Sequence, residues 1–334
     1  MNHLIQNPEI VAKAYMRIKD YIHRTPILKS STLNKMLGNK IYFKMDALQK
    51  TGAFKIRGVL NNILLFQEQN KMPDKIVSYS TGNHGLAMSY VGQLFNIQVR
   101  VYLPKNVSLI KKHIARYYGA EVIEVETRGK AEELAKFDEE KGYCYLPPSD
   151  DDSIIAGAGT MCYEALEDLN KLDIKPDAIF APCGGGGLLS GTYLAKELLS
   201  KNSQLHGVEP QIADDAYRSV KSNEIFRFNS SPETIADGLR ALSISNRSLN
   251  YLRKLDDFHL VDEESIKYWT AWLIQMTKIT CEPSSAISMG AVHNWLNKNS
   301  YKNKRILVLI TGGNIDPELY NILSNSSDYL QDPN

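Results

Sequence analysis

Apolar positions along this chain fall into two alternating rhythms. Between residues 8 and 22, Ile10, Val11, Ala14, Tyr15, Ile18 and Ile22 recur at the spacing of an amphipathic helix. Arg24-Thr25-Pro26 stops it, because proline excludes a continuing helix. Ile41–Met45 is a short strand, and Phe54–Gln67 resumes the helical period. A strict alternation follows. Strands are expected at Lys75–Ser80, Val99–Leu103, Glu121–Val125 and Tyr143–Leu146, with helices at His84–Phe95, Ser108–Tyr118 and Lys130–Lys141 between them. Such repetition predicts a parallel sheet with right-handed crossovers. Pro147-Pro148-Ser149-Asp150-Asp151-Asp152 breaks the pattern and marks a lobe boundary, its acidic run reading as a solvated turn. A second series then places strands at Ala178–Pro182, Leu205–Val208 and Arg305–Ile310.

Composition narrows the class without naming a chemistry. The 334 residues are 43% hydrophobic and 23% charged, enough for a full core. Thirty-nine basic residues against 38 acidic ones give no general attraction to nucleic acid or anionic lipid. Cys144, Cys162, Cys183 and Cys281 are far apart and lack CxxC spacing, so they read as reduced thiols. The opening MNHLIQNPEIVAKAYM lacks the basic and apolar regions of a signal peptide, and no apolar run approaches the roughly 20 residues of a membrane span. A cytoplasmic protein acting on a small molecule is the expectation.

Candidate chemistry sits where strands end. Gly184-Gly185-Gly186-Gly187, followed by Leu188, joins a strand to a helix, so its backbone N–H groups and the helix dipole suit a phosphate. A tight packing turn is the plainer alternative, although consecutive glycines cost chain entropy. A dinucleotide is the rival guest, with Glu209 as a ribose-binding acid, which would make an NAD(P)-dependent oxidoreductase. The Gly-x-Gly-x-x-Gly spacing fails, however, because Ser190 takes the last position. Ser80-Thr81-Gly82-Asn83-His84 offers hydroxyls and amides to a carboxylate, or serves as an ordinary helix cap. Thr311-Gly312-Gly313-Asn314 places a hydroxyl after the strand ILVLI. Lys55, between Phe54 and Ile56, becomes a nucleophile and base if an apolar, cation-rich setting lowers its pKa.

Together the stretches HRTPILKSSTLN, KTGAFKIRG, STGNHGLA, VYLPKNVSLIKKHIARYYGAEV, IIAGAGT, CGGGGLLSG, GVEPQIADDAY, TIADGL, CEPSSA and TGGN resemble the fold-type II pyridoxal-phosphate enzymes, in the serine racemase and serine/threonine dehydratase branch. They run in the family's order from about residue 23 to 314. The resemblance implies two open, twisted α/β lobes of tryptophan synthase β-like fold, with pyridoxal 5'-phosphate in the cleft between them. It would join 1–72 with 149–325 in a large lobe, leaving 73–148 as a smaller one. It implies a Schiff base on Lys55 beside Phe54 and the cofactor phosphate on Gly184–Gly187 and Leu188. Asn83 is then expected at the ring hydroxyl, Thr311 at the ring nitrogen, and Gly238 and Glu282 beside the cofactor. Ser80, Thr81, Gly82, Asn83 and His84 would take the substrate carboxylate.

The activity so implied is elimination of water from L-threonine, L-serine or a related 3-hydroxy amino acid, giving a 2-oxo acid and ammonia. A neutral hydroxyl at the ring nitrogen limits charge delocalisation and favours prompt β-loss. Racemisation is the alternative, with Lys55 and Thr81 as opposed proton carriers, and a catalytically silent amino-acid-binding regulator is a weaker one. Glu209, the Ala213 carbonyl and Asp215 match a Mg²⁺ or Ca²⁺ site in the racemase-like members. A homodimer is expected, and so is closure of the 73–148 lobe on the substrate. The chain departs from the family pattern at Ala53 (usually serine), at Ala158 (commonly glutamine), in LPPSDDD, and at Thr81, where racemases carry serine and several dehydratases alanine.

Overall fold

The computed structural model describes residues 7–80 and 82–326. The chain begins with α1 (Glu9–Ile18), β1 (Ile27–Leu28), α2 (Ser31–Leu37), β2 (Lys40–Met45) and α3 (Lys55–Glu68). It then builds β3 (Lys75–Tyr79), α4 (Asn83–Phe95), β4 (Gln98–Pro104), α5 (Leu109–Tyr117), β5 (Glu121–Val125), α6 (Arg128–Glu140) and β6 (Cys144–Tyr145). It returns through α7 (Asp152–Lys171), β7 (Ala178–Pro182), α8 (Gly187–Leu199), β8 (Gln204–Pro210), α9 (Asp215–Ser222), α10 (Asn246–Leu252) and β9 (Asp257–Val261). The last elements are α11 (Glu263–Thr277), α12 (Pro283–Asn299), β10 (Arg305–Ile310) and α13 (Pro317–Asn325).

Among the described residues the strands form two sheets, each largely parallel as the alternation predicts. The smaller has the order β5-β4-β3-β6 and is parallel throughout. The larger has the order β1-β2-β10-β7-β8-β9, parallel except where β1 meets β2. β7 and β10 lie inside the large sheet and are buried on both faces, which is why AIFAP and ILVLI are unbroken apolar runs. Two edge strands escape the sequence pattern. β1 is only two residues long, and β9 (DFHLV) is half-exposed and interrupted by Asp257 and His259. The first helix stops at Ile18, four residues short of expectation. The acidic run is more than a solvated turn: Asp151 caps α7 by accepting from the Ser153 and Ile154 amides.

Glycines hold three helices at backbone contact. A Cβ on Gly157 would lie 2.5 Å from the Arg57 carbonyl oxygen, and one on Gly159 would lie 2.5 Å from that of Gly191. At these two crossings the backbone of α7 touches that of α3 and that of α8 directly. Those two helices carry Lys55 and the glycine loop at their starts. Backbone contact at Gly157 and Gly159 limits how far these helices can be moved apart or together by side-chain adjustment.

Candidate active site

β2, β10 and β7 are neighbours in the large sheet, and their carboxyl ends lead to the Lys55 segment, Thr311–Asn314 and Gly184–Gly187. Ser80–His84 follows the carboxyl end of β3 in the small sheet. Open α/β sheets present their ligand sites at such ends. One cleft of about 820 Å³, counting its mouth, is lined by residues of all four segments. Of the expected cofactor and substrate residues, Phe54, Lys55, Ser80, Asn83, His84, Gly184 to Leu188, Gly238, Glu282 and Thr311 line it. Gly82 supports the cleft from behind: its φ of +139° suits glycine, and a Cβ there would collide with Lys111 Cδ. Thr81 lies outside the described residues.

The segment before Lys55 is fastened to the end of β10. Ala53 bridges to Gly312, the Phe54 amide donates to the Thr311 carbonyl at 2.8 Å, and the Gly313 amide donates to the Gly52 carbonyl at 2.9 Å. Lys55 Nζ points across the cleft and donates to the Pro148 carbonyl at 2.8 Å. Burial, with the Arg128 charge second, lowers its pKa to about 8. A lysine amine at its ordinary value near 10.4 is almost wholly protonated at neutral pH, whereas this one is neutral in a usable fraction.

The glycine loop makes a concave wall. Gly186 takes φ +84° at the start of α8, a conformation that side chains resist. Cβ atoms would strike Ser149 Oγ at Gly185, Ser248 Cβ at Gly186 (2.6 Å), and the Gly238 carbonyl oxygen at Gly184 (3.0 Å). α8 begins at Gly187, so the first N–H groups there have no acceptor within the helix. This wall suits an anion such as a phosphate, and the amine and the Thr311 hydroxyl share its cleft. The donor set fits pyridoxal 5'-phosphate.

On the opposite side the polar groups form a chain. Asn83 Nδ2 donates to both oxygens of Glu282 (2.8 and 3.1 Å), and Asn314 Nδ2 donates to Asn83 Oδ1 at 2.9 Å. Burial raises the Glu282 pKa, against the nearby Lys111 charge. Lys111 Nζ donates to Asp237 Oδ2 at 2.6 Å; burial disfavours its charge, but Asp237 and Glu282 outweigh that and raise its pKa. Thr311 Oγ1 is 2.8 Å from Ser285 Oγ, and Ser285 Oγ also accepts from the Gly312 amide at 2.8 Å. Ser80 Oγ accepts from the Gly82 and Gly85 amides, both at 2.9 Å. His84 is buried against the Leu146 carbonyl, and burial followed by the Lys55 charge drops its pKa to about 3, so its ring stays neutral.

Sequence reasoning missed Lys111, Arg128, Ser149 and Ser284, all of which line the cleft. Lys111 and Arg128 look like ordinary helix-surface cations in the sequence. No local signal reveals that α5 and α6 turn those residues inward.

The metal candidates sit behind the glycine loop. Glu209, Ala213 and Asp215 are fully buried. Glu209 accepts from the Ala216 and Tyr217 amides at 3.1 and 2.9 Å, while both carboxylate oxygens of Asp215 are buried without a hydrogen-bond partner. Burial, then the mutual repulsion of the pair, raises the Glu209 pKa, and burial raises that of Asp215 to about 7. Glu209 does not line the cleft, which removes the ribose-binding role from the oxidoreductase reading.

A family model described as "Pyridoxal-phosphate dependent enzyme" matches residues 18–312. The serine racemase of Dictyostelium discoideum is 36% identical over 310 residues, covering 92% of this chain and 94% of the relative. The L-threo-3-hydroxyaspartate ammonia-lyase of Saccharomyces cerevisiae is 33% identical over 322 residues, covering 95% and 96%. The crystal structure of a threonine deaminase from T.th. superposes with a TM-score of 0.85 at 37% identity, covering 93% of this chain and 99% of that one. The sheet order, the glycine wall and the buried amine thus have a common explanation: the chain belongs to the pyridoxal-phosphate-dependent enzymes of fold-type II, in the group of serine racemases and serine/threonine dehydratases.

Proposed function

We propose that the protein is an ammonia-lyase that removes the β-hydroxyl of L-serine, L-threonine or a related 3-hydroxy amino acid, yielding a 2-oxo acid and ammonia. The observation that carries this reading is the Lys55 amine, with its pKa lowered to about 8, in one cleft with the glycine wall and the neutral Thr311 hydroxyl. Bound pyridoxal 5'-phosphate supplies the electron sink that acidifies the α-C–H of an amino acid. The chain's residues do the rest. Gly184–Gly187 and Leu188 would hold the phosphate, with Phe54, Gly238 and Glu282 beside the cofactor and Asn83 available to its ring hydroxyl. Thr311, as a hydroxyl rather than a carboxylate, would meet the ring nitrogen without protonating it. Ser80 to His84 orient the substrate carboxylate, and Lys55 Nζ takes the α-proton. The lobe of 73–148 closes to exclude water.

Arg128 favours a more specific substrate. Its guanidinium lines the same cleft, lies 5.4 Å from the Tyr79 ring centroid, and acts on Lys55 electrostatically. A second carboxylate on the substrate would find its counter-charge there. A 3-hydroxyaspartate, the substrate in the name of the yeast relative, has one. Racemisation is the second reading, because serine racemases are among the relatives. It assigns the opposite proton carrier to Thr81. The partly satisfied Glu209–Asp215 pair, with the Ala213 carbonyl, supports a structural Mg²⁺ or Ca²⁺ ion. Cytoplasmic location and a homodimer complete the reading.

The test is the holoenzyme incubated with L-serine, L-threonine and the 3-hydroxyaspartates, with 2-oxo acid and ammonia measured and the recovered amino acid resolved chirally. Formation of 2-oxo acid with a preference for the dicarboxylate, lost in Arg128→Met, is expected. No 2-oxo acid from any of them would reject the lyase. Inverted substrate without 2-oxo acid would make the racemase the primary activity.

A further inference from the structure

β8 and β9 run parallel at the edge of the large sheet, with His206 opposite Asp257 and Val208 opposite His259. Residues directly opposite one another share a face, as do residues two apart along a strand. His206, Asp257 and His259 therefore project from one side of the sheet. Their polar atoms converge. His206 Nδ1 is 3.0 Å from His259 Nε2, and that same nitrogen is 3.7 Å from Asp257 Oδ2. One ligand atom from each residue lies within 4.8 Å of the other two.

Two imidazoles and a carboxylate are a donor set for a first-row divalent ion. A tetrahedral Zn²⁺ with ligands at about 2.0–2.1 Å holds its ligand atoms about 3.3 Å apart. The His206–His259 and His259–Asp257 separations stand on either side of that value and all three ligand atoms lie within 4.8 Å of one another, so closing the site requires rotation of the exposed Asp257 side chain toward the rings. We infer that His206, His259 and Asp257 form a transition-metal site, suited to Zn²⁺, that clips edge strand β9 to β8.

The surroundings preorganise the site. The His206 ring lies flat on Phe180, 4.4 Å between centroids and 5° between planes, with Trp295 5.2 Å away. Its Nε2 is buried and has no hydrogen-bond partner, so Nδ1, the atom facing His259, makes its polar contact. Asp257, 57% exposed at its side chain, opens a path from solvent. The same depression is lined by two carboxylates, Asp256 and Asp257, and by one ammonium, Lys298. His206 and Glu209 are an odd number of residues apart on β8, so this site and the Glu209–Asp215 pair lie on opposite faces of the sheet.

The experiment is Zn²⁺ titration of tag-free, chelator-treated holoenzyme against a chromophoric zinc indicator. The variants are His259→Gln, Asp257→Asn and, to isolate the other carboxylate pair, Glu209→Gln. Micromolar or tighter binding is expected in the parent chain and in Glu209→Gln. His259→Gln should weaken it by at least about tenfold, the loss that even outer-shell partners of a metal produce. Zn²⁺ should also raise the Tm of the parent and leave that of His259→Gln unmoved. Equal binding by parent and His259→Gln would overturn the inference. So would millimolar binding by the parent, which would make the histidine contact a hydrogen bond and nothing more.

Discussion

Arg57 grips Asp46 through two parallel hydrogen bonds, Nε to Oδ2 at 2.6 Å and Nη2 to Oδ1 at 2.8 Å, with both side chains fully buried. Arg57 also reaches Glu164, through Nη2 at 3.2 Å, and Glu164 pairs with buried Lys44. Two carboxylates thus meet two cations in the interior. The Thr25 hydroxyl and carbonyl take part, donating to Asp46 and accepting from Lys44. Because α3 starts at Lys55, this cluster anchors its first turn from below and fixes the direction in which Lys55 leaves the helix.

Breaking that anchor should cost far more than a surface ion pair. Arg57→Met leaves Asp46 as a buried charge with its main partner gone, a loss of about 3–5 kcal/mol. Arg57→Lys should recover only part of it, since an ammonium cannot reproduce the two-pronged contact. Urea denaturation of the three proteins measures both differences. A loss below about 1 kcal/mol in Arg57→Met would refute the anchoring role.

Gly159 is predicted to resist the smallest possible enlargement. Gly159→Ala places a methyl group 2.5 Å from the Gly191 carbonyl oxygen, so α7 and α8 must part. Overpacking of this kind costs about 1–3 kcal/mol. Gly129→Ala, in the first turn of α6 with only Thr127 Oγ1 at 4.0 Å, is the control and should hold or slightly raise stability. Thermal unfolding distinguishes them. Equal Tm values for the two variants would contradict the close helix crossing.

The lowered Lys55 pKa has a kinetic signature. Only a neutral amine can attack an aldehyde, so recapture of pyridoxal phosphate by apoenzyme should follow deprotonation of Lys55. With the pKa lowered to about 8, the rate should climb about tenfold per pH unit well below pH 8, bend near it and level off above. Stopped-flow absorbance from pH 6 to 10 follows this directly. A rate still climbing at pH 10 would mean that the amine keeps its ordinary pKa.

How much could be read from the chain alone follows from what was buried and how locally. Inner strands such as AIFAP and ILVLI announce themselves, because burial on both faces makes them continuously apolar. The glycine loop is legible for a related reason, as consecutive glycines between strand and helix have few other uses. β9 was hidden by its half-exposed edge position. The Lys44, Asp46, Arg57 and Glu164 cluster is not legible because its members come from three segments, the end of β2, α3 and α7, and only the tertiary fold brings the four together. IIAGAGT stands out as a motif, but its packing reason, contact of Gly157 with α3 and Gly159 with α8, needs three helices at once. Lys111 is similar: its role depends on Asp237, more than a hundred residues away.

The amine at position 55 is the group on which the chemistry depends, and hydride reduction tests it most directly. Holoenzyme treated with borohydride, digested and analysed by mass spectrometry should lose its yellow colour and carry a phosphopyridoxyl group on the peptide containing Lys55. Lys55→Ala should take up no such label. A label on another lysine, or a cofactor-supplemented protein that stays colourless and unmodified, would contradict the account.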